Sequence, residues 1–286
     1  MKQTRETITP ISIHEIQPFP NHPFRVEHDT AMERLIESIR EEGVVDPAIV
    51  RPLPDGRYEM ISGHRRMAAC KELGYATIPA VVRKLDDDAA TLMMVDANQQ
   101  REQLLPSEKA FAYKMRKEAL QRQREAAGHD VPSTGDTSRT AAKIGEASGE
   151  SYKTVDRYIR LTELIPALLK LVDEDKLGVT PAVELSYLPT KGQEQLLLAM
   201  ESEQSVPSVA QAKELRKKSV EGSFTDDTPL QVLTGSKGKA TEKLTIPMEQ
   251  LSKFFGKDET PAQMIKTIIA ALEREKRRQR NRQQER

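Results

Sequence analysis

The stretch YEMISGHRRMAACKEL, residues 58–73, decides how the first part of this chain folds. Its opening residues alternate between apolar and polar, with Tyr58 and Met60 apolar, as in a half-buried strand. Gly63 ends that pattern. Apolar residues then recur at helical spacing, at Met67, Cys70 and Leu73. The stretch therefore predicts a strand, a glycine turn and the first turns of a helix.

The turn is the part of this stretch that suits a ligand. Backbone N–H groups at a helix N-terminus have no partner within the helix and lie at the positive end of its dipole. Glycine lets the backbone come close to a ligand, so Gly63, Arg65 and Arg66 fit a phosphate-binding turn. The same residues fit an ordinary strand-to-helix turn with two solvated arginines, since short motifs produce false matches. The turn alone leaves both interpretations open.

Two further motifs flank the turn. The sequence ISGHRRMAACKELGYATIP, from Ile61, resembles the GERR box of the ParB/RepB partition-protein family. Upstream, PFPNHPFR followed by LIESIREEGVVDPAIVRP resembles the first box of that family. Downstream, NQQREQLLPSE, from Asn98, resembles the box written ENLQRxDLxPxE. Three boxes in the family's order are far more specific than one, and the resemblance continues to about residue 190.

The resemblance implies a nucleoside triphosphate site, with CTP as the nucleotide and Mg2+ as the metal ion. The residues of this chain that match the family's nucleotide site, taken box by box, are Arg25, Ser62, Gly63, His64, Arg65, Arg66, Asn98 and Arg101. Asn98 is also the candidate ligand of Mg2+, and Arg101 a polar support for the box. Without the resemblance, Arg25 fits a surface arginine equally well, and polar residues at a helix end are usually solvated.

The chain departs from the family boxes at two positions. His64 replaces the glutamate of GERR, and Ala97 replaces the glutamate that precedes the asparagine in the third box. A carboxylate at position 97 would suit cation coordination or the orientation of attacking water, and alanine can do neither. Asp96 precedes it by one residue, which turns a helical side chain by about 100°. We therefore expect nucleotide binding with slow or absent hydrolysis.

His64 has two interpretations, a hydrogen bond to phosphate or a neutral turn histidine with no role. A metal site is not expected there, because the other histidines show no ligand spacing with it (His14, His22, His28 and His129). Cys70 lies on the apolar side of its helix and is predicted to be a core residue.

Composition limits the class of protein. A chain of 286 residues is long enough for two or more domains, and 37% hydrophobic residues with no Trp favour a helical, moderately cored protein. One cysteine excludes a disulfide framework, and no apolar run is long enough to span a bilayer. The N-terminus lacks the apolar core of a signal peptide, so a cytoplasmic protein is expected. Net charge is zero, so any contact with DNA requires a local basic patch.

Residues 1–104 are predicted to form an α+β domain, which the resemblance identifies as ParB/sulfiredoxin-like. Its other predicted elements are a strand over Ile11, Ile13 and Ile16, a helix from Asp29 to Gly43, and strands at 45–51, 57–62 and 78–83. Pro54 to Gly56 is predicted to be the turn of a hairpin. A helix from Pro106 to about Glu125 follows, with Ala110, Phe111, Met115 and Leu120 turned inward.

Residues 105–218 are predicted to be helical, with a helix-turn-helix near 138–162 that follows a flexible tract at 128–137. Gly145 is the small residue needed where two helices cross, and Gly149 supplies the turn. An ordinary helical hairpin with a solvated basic face is the alternative. The candidate DNA-binding residues are Arg139, Ser151, Tyr152, Lys153, Thr154, Arg157 and Arg160.

The last part of the chain is predicted to be separate. Residues 219–240 have the composition of a linker, and 241–286 combine a short strand with two helices. Because the apolar stripe of such a small module needs a partner, it is expected to dimerise or dock. The basic tail KRRQRNRQQER fits either DNA phosphates or a solubilising end.

Taken together, the resemblance implies a site-specific DNA-binding protein of plasmid, mobile-element or chromosome partition. It implies a homodimer that CTP closes into a clamp on a palindromic, centromere-like site in double-stranded DNA, with a ParA-type ATPase as partner. Such a protein is nucleoid-associated and has no membrane partner. Two alternatives share the fold: a transcriptional repressor or nucleoid-occlusion paralogue, and a sulfiredoxin-like or serine-kinase-like phosphotransferase.

Overall fold

The computed structural model describes residues 7–99, 104–128 and 137–235, together with isolated positions between 254 and 274. Contacts divide the chain into two units, Met1–Gly238 and Lys239–Arg286. Apart from those isolated positions, the strand, helices and basic tail predicted for 241–286 lie outside the described residues. Most of the tract predicted at 128–137 lies outside them as well.

A five-stranded mixed sheet organises the N-terminal part. Its strands are β1 (Ile8–Ser12), β2 (Ile16–Gln17), β3 (Ala48–Pro52), β4 (Tyr58–Ser62) and β5 (Thr77–Val82). They lie in the order β1-β5-β3-β4-β2. The pairs β1–β5 and β3–β4 are antiparallel, and β3–β5 and β2–β4 are parallel. Pro10 therefore lies in an edge strand, where its missing N–H costs no ladder hydrogen bond.

The single strand predicted over Ile11, Ile13 and Ile16 is wrong. A one-turn 3-10 helix, Ile13–Glu15, separates β1 from β2. The reason is topological, because β1 and β2 occupy opposite edges of the sheet and the chain must leave one ladder to reach the other.

Three helices cover the two faces of the sheet: α1 (Thr30–Glu42), α2 (His64–Glu72) and α3 (Asp87–Gln99). Met60 packs with α1 and α2, whereas its neighbour Ile61 packs with α3. Because successive strand residues point to opposite faces, α3 lies on the opposite side of the sheet from α1 and α2. The predicted cap of α1 is confirmed, since Asp29 accepts the Met32 N–H at 2.7 Å.

The remainder of the described chain is helical, as predicted. Its helices are α4 (Pro106–Ala126), α5 (Thr137–Ser148), α6 (Tyr152–Arg160), α7 (Pro166–Asp173), α8 (Val179–Leu185), α9 (Thr190–Glu203), α10 (Val209–Val220) and α11 (Thr228–Gly235). A core of buried leucines, including Leu168, Leu185, Leu196 and Leu215, joins α7 to α10. None of the described helices is long and apolar enough to cross a membrane.

Two predictions for this part are corrected. Residues 219–240 are not one linker, because α11 lies within them and buries Val232 and Leu233 against the leucine core. The inward orientation predicted for Phe111 is wrong: this residue is 39% exposed, since α4 packs through its small residues Ala110 and Ala112.

Candidate functional site

The glycine turn has the geometry that its sequence predicts. Gly63 is the N-cap of α2, and its φ is 106°. Residues with a Cβ rarely adopt this backbone conformation. A Cβ at this position would lie 3.1 Å from the Ala48 Cβ. No side chain among the described residues caps α2, so its first N–H groups remain available to a ligand.

A pocket of about 360 Å³ opens over this turn. It brings together seven of the eight predicted nucleotide-site residues: Arg25, Ser62, Gly63, His64, Arg65, Arg66 and Asn98. The eighth, Arg101, lies outside the described residues. The wall also contains Ala97. His22, Phe24 and Asp46 line it as well; they lie within the first box but were not predicted to be site residues. The boxes therefore converge on one cavity although they are far apart in sequence.

Arg65 is held by the residue that caps α1. Its guanidinium donates to the two carboxylate oxygens of Asp29 at 2.7 and 3.3 Å. The hydrogen bond from Arg65 and that from the Met32 N–H together lower the pKa of Asp29 to about 2. A fork-to-fork contact of this kind fixes the direction of the guanidinium, so Arg65 meets the pocket in a preset orientation.

Arg66 supports the turn. Its Nη1 donates to the backbone carbonyl of Pro47 at 2.9 Å and to that of Asp46. Burial lowers the pKa of the Arg66 guanidinium. The side chain thus ties the start of α2 to the segment that enters β3, which keeps Gly63 against Ala48.

His64 stacks on His22, with ring centroids 3.8 Å apart. Burial, and secondly the charge of His22, lower the pKa of His64 from 6.5 to about 3. Its imidazole is therefore neutral near pH 7. Among the described residues, the buried Nε2 of His64 has no hydrogen-bond partner, so it can serve a ligand in the pocket.

The C-terminal turn of α3 forms another side of the pocket. The Asn98 Nδ2 donates to the Met94 carbonyl at 2.9 Å, which leaves Oδ1 as an acceptor or metal ligand. Asp96 is not part of the pocket wall; its carboxylate bonds Arg116 of α4. Within the described part of the chain, no cluster of three or more His, Cys, Asp or Glu residues could hold a metal ion.

Arg25 lies where the pocket meets the helical part. Its backbone N–H donates to Glu108 Oε1 at 2.7 Å, and its Nη2 donates to Asp173 Oδ2 at 2.9 Å. A second cavity of about 660 Å³ shares Arg25 and Arg65 with the pocket and extends toward the start of α4. Sequence motifs gave no sign of Asp173, which is far from every box.

The helix pair α5–α6 is joined by a three-residue turn at 149–151. Gly149 adopts φ of 70°, and an added Cβ at Gly145 would lie 2.3 Å from the Glu150 carbonyl oxygen. Both glycines are therefore needed where the sequence predicts a turn and a close approach. Lys109 of α4 bonds Glu150 at 3.1 Å and so fixes the turn before α6.

The predicted DNA-binding side chains differ in solvent exposure and in hydrogen bonding. Tyr152, Lys153 and Arg157 are exposed, and Arg157 donates to the Thr180 hydroxyl at 2.6 Å. Ser151 caps α6 and shares a hydrogen bond with the Thr154 hydroxyl.

One predicted residue, Arg160, stands apart from this exposed side of α6. Arg160 bonds the Ser186 carbonyl at 2.8 Å and packs on the Tyr187 ring, so its guanidinium supports the domain. The side chain of Arg139 lies outside the described residues.

Comparison with known proteins identifies the family of this chain. Residues 1–99 match the ParB N-terminal domain family. The "Probable chromosome-partitioning protein ParB" of Pseudomonas putida is 33% identical over 195 residues, which cover 68% of this chain and 61% of that protein. The chain belongs to the ParB family. It spans about three fifths of the length of this ParB relative.

Other ParB-like proteins match over different lengths. A nucleoid occlusion protein of Geobacillus sp. is 35% identical over 112 residues, 39% of this chain and 40% of that protein. A crystal structure of C-terminally truncated ParB from Caulobacter crescentus, complexed with CTP-gamma-S, is 26% identical, with a TM-score of 0.31. That match covers 73% of this chain and 98% of the Caulobacter chain.

Proposed function

We propose that this chain is a nucleotide-regulated, site-specific DNA-binding protein of DNA partition. The observation that carries the proposal is the convergence of seven residues from three separate sequence boxes on one pocket over an uncapped helix N-terminus. An uncapped N-terminus with arginines beside it favours a phosphate group. The curated relative in Pseudomonas putida, whose name gives chromosome partition, supports the biological role.

The proposed ligand is a nucleoside triphosphate, with CTP as the family resemblance implies. The N–H groups at the start of α2 and the Arg65 guanidinium provide donors for phosphate oxygens, and the neutral His64 provides another. Asn98 Oδ1 is an oxygen of the kind that Mg2+ accepts. Since no acidic cluster is present in the described pocket, Mg2+ would rely mainly on phosphate oxygens.

The proposed DNA-binding surface is the exposed side of α6. Val155 faces the core, and Tyr152, Lys153 and Arg157 face outward from a helix fixed by its Ser151 cap. Side chains of these types reach phosphates and base edges in the major groove. A homodimer of such helix pairs would bind a palindromic site, in the manner of other helix-turn-helix proteins.

Calorimetry with each of the four ribonucleoside triphosphates, Mg2+ and duplex DNA tests the nucleotide proposal. We expect CTP to bind, and Arg65→Ala to remove most of the affinity because charge-assisted contacts from a guanidinium are strong. Arg40→Ala is the matched control, since Arg40 is exposed on α1 and is not part of the pocket wall. Absence of binding by all four nucleotides would refute the proposal.

The nucleoid-occlusion role is a second candidate, favoured by the Geobacillus relative. Mapping of bound DNA across the genome separates the two roles. One cluster of sites near the protein's own operon supports partition, and dispersed or promoter sites support occlusion or repression.

A further inference from the structure

A buried carboxylate joins the N-terminal part of the chain to the helical part. The Asp173 side chain, 4% exposed at the end of α7, accepts three hydrogen bonds. The Ser107 N–H and hydroxyl donate at 2.9 and 2.7 Å, and the Arg25 Nη2 donates at 2.9 Å. Ser107 lies in the first turn of α4, so the carboxylate fastens α7 to α4 and both to the loop that carries Arg25.

A second contact strengthens the same junction. Glu108 Oε1 accepts the backbone N–H of Arg25 at 2.7 Å, and its Oε2 accepts the Leu105 N–H at 3.0 Å. Glu108 is 4% exposed. The loop is therefore attached to the start of α4 by its backbone and to α7 by its side chain.

Arg25 also lines the proposed nucleotide pocket, and its side chain is 52% exposed. One guanidinium thus contacts the Asp173 carboxylate and also lines the pocket in which a phosphate group is proposed to bind. Its contact with Asp173 uses a single nitrogen, Nη2. A multiply charged phosphate that engages the guanidinium through two nitrogens forms the stronger contact.

We propose that the Arg25–Asp173 ion pair holds the N-terminal part against the helical part when the pocket is empty, and that polyphosphate binding breaks this ion pair. We call the ion pair the latch. This inference rests on the proposed nucleotide function. When a phosphate takes the Arg25 guanidinium, Asp173 loses that charged partner and keeps two bonds from Ser107. The contact between the two parts of the chain is weakened, and by reciprocity the intact latch lowers the affinity for the ligand.

The test uses the whole 286-residue chain and the isosteric variant Asp173→Asn. The amide oxygen of the substituted side chain can still accept the Ser107 N–H, but its amide nitrogen cannot accept from Arg25. We expect about threefold to tenfold tighter binding of CTP with Mg2+, and of tripolyphosphate, in calorimetry. Asp175→Asn is the control: the same charge is removed two residues away, at an exposed position whose φ of 56° asparagine tolerates.

Hydrogen exchange of the wild-type protein gives a second measurement that needs no variant. We expect the amides of Leu105, Ser107 and Glu108 to exchange about fivefold faster with saturating CTP and Mg2+, because the junction at the start of α4 loses the Arg25 side-chain contact and opens more often. If CTP binds but Asp173→Asn has wild-type or weaker affinity, or if these amides become more protected, the latch is refuted while the nucleotide site stands. If neither CTP nor tripolyphosphate binds the wild type, the nucleotide function fails and the latch with it.

Discussion

The rings of His22 and His64 stack with their centroids 3.8 Å apart and their planes tilted by 36°. His64 occupies the position at which the family's GERR box has glutamate, so a pair of stacked imidazole rings lines the pocket where a carboxylate is usual. Burial, and secondly the charge of His22, lower the pKa of His64 to about 3. These two side chains therefore add no negative charge to the pocket.

The depressed pKa of His64 predicts acid sensitivity. Because the folded-state pKa is below the unfolded value of 6.5, the unfolded chain binds the proton first, and this contribution to stability is lost as pH falls from 6.5 toward 3. We expect His64→Gln to reduce the loss of unfolding free energy between pH 7 and pH 5 by about 1 to 2 kcal/mol. Urea unfolding at both pH values measures it, with the exposed His14→Gln as control. Equal pH dependence in both variants would contradict the prediction.

Gly63→Ala is expected to damage the turn beneath the pocket. The substituted residue would keep a positive φ and press its Cβ on Ala48, at a cost of about 2 to 3 kcal/mol. Gly56→Ala is the comparison, because Gly56 also has positive φ, 85°, but nothing lies within 4 Å of its Cβ position. Denaturant unfolding of the two variants separates the contact from the backbone strain. If Gly63→Ala lowers the unfolding free energy no more than Gly56→Ala does, Ala48 moves aside at little energetic cost and the prediction is wrong.

Gly145→Ala is expected to disturb the approach of α5 to the turn before α6. Its Cβ would lie 2.3 Å from the Glu150 carbonyl, which cannot move without shifting the start of α6. We expect DNA affinity to fall about tenfold or more while CTP affinity is unchanged. Gly149→Ala has open space around its Cβ position and isolates the cost of positive φ. Wild-type DNA affinity in Gly145→Ala would show that the helix pair tolerates the shift.

Arg157→Ala tests the exposed side of α6. If Arg157 reads a guanine, the loss should be about 1 to 3 kcal/mol on the specific duplex and much less on a scrambled one. If it contacts phosphate alone, both affinities should fall equally. Binding curves at one salt concentration distinguish these cases, and unchanged affinity for both duplexes would remove Arg157 from the interface. Arg160→Ala is a useful contrast, since the Ser186 contact predicts loss of stability in that variant.

Ala97→Glu concerns hydrolysis. Position 97 lies in the pocket wall, whereas the Asp96 carboxylate accepts a hydrogen bond from Arg116. The described pocket therefore lacks the carboxylate of the family's third box. We expect slow or absent phosphate release in the wild type and faster release in Ala97→Glu, because positioned water and charge lower the barrier to phosphoryl transfer. Phosphate release with cognate DNA is the measurement, with Asp96→Asn as control. Rapid wild-type turnover that survives Asp96→Asn would mean that another group performs the step.

The sequence predicted those features that depend on neighbouring residues. The strand, turn and helix at 58–73 follow from local periodicity and from the need for glycine at Gly63. The Asp29 cap and the paired glycines Gly145 and Gly149 are predictable for the same reason. Family boxes also placed the pocket residues, because each box keeps its own short spacing.

Tertiary structure decided which distant residues meet. Arg65 and Asp29 are 36 positions apart, and Arg25 and Asp173 are 148 apart. No periodicity or spacing relates such residues, since the distance between them depends on how the sheet and helices pack. The burial of α11 and the break between β1 and β2 escape sequence reasoning for the same reason: both depend on surfaces supplied by other parts of the chain. The sequence by itself therefore determined the local geometry of the pocket, and packing alone decided which side chains its arginines bind.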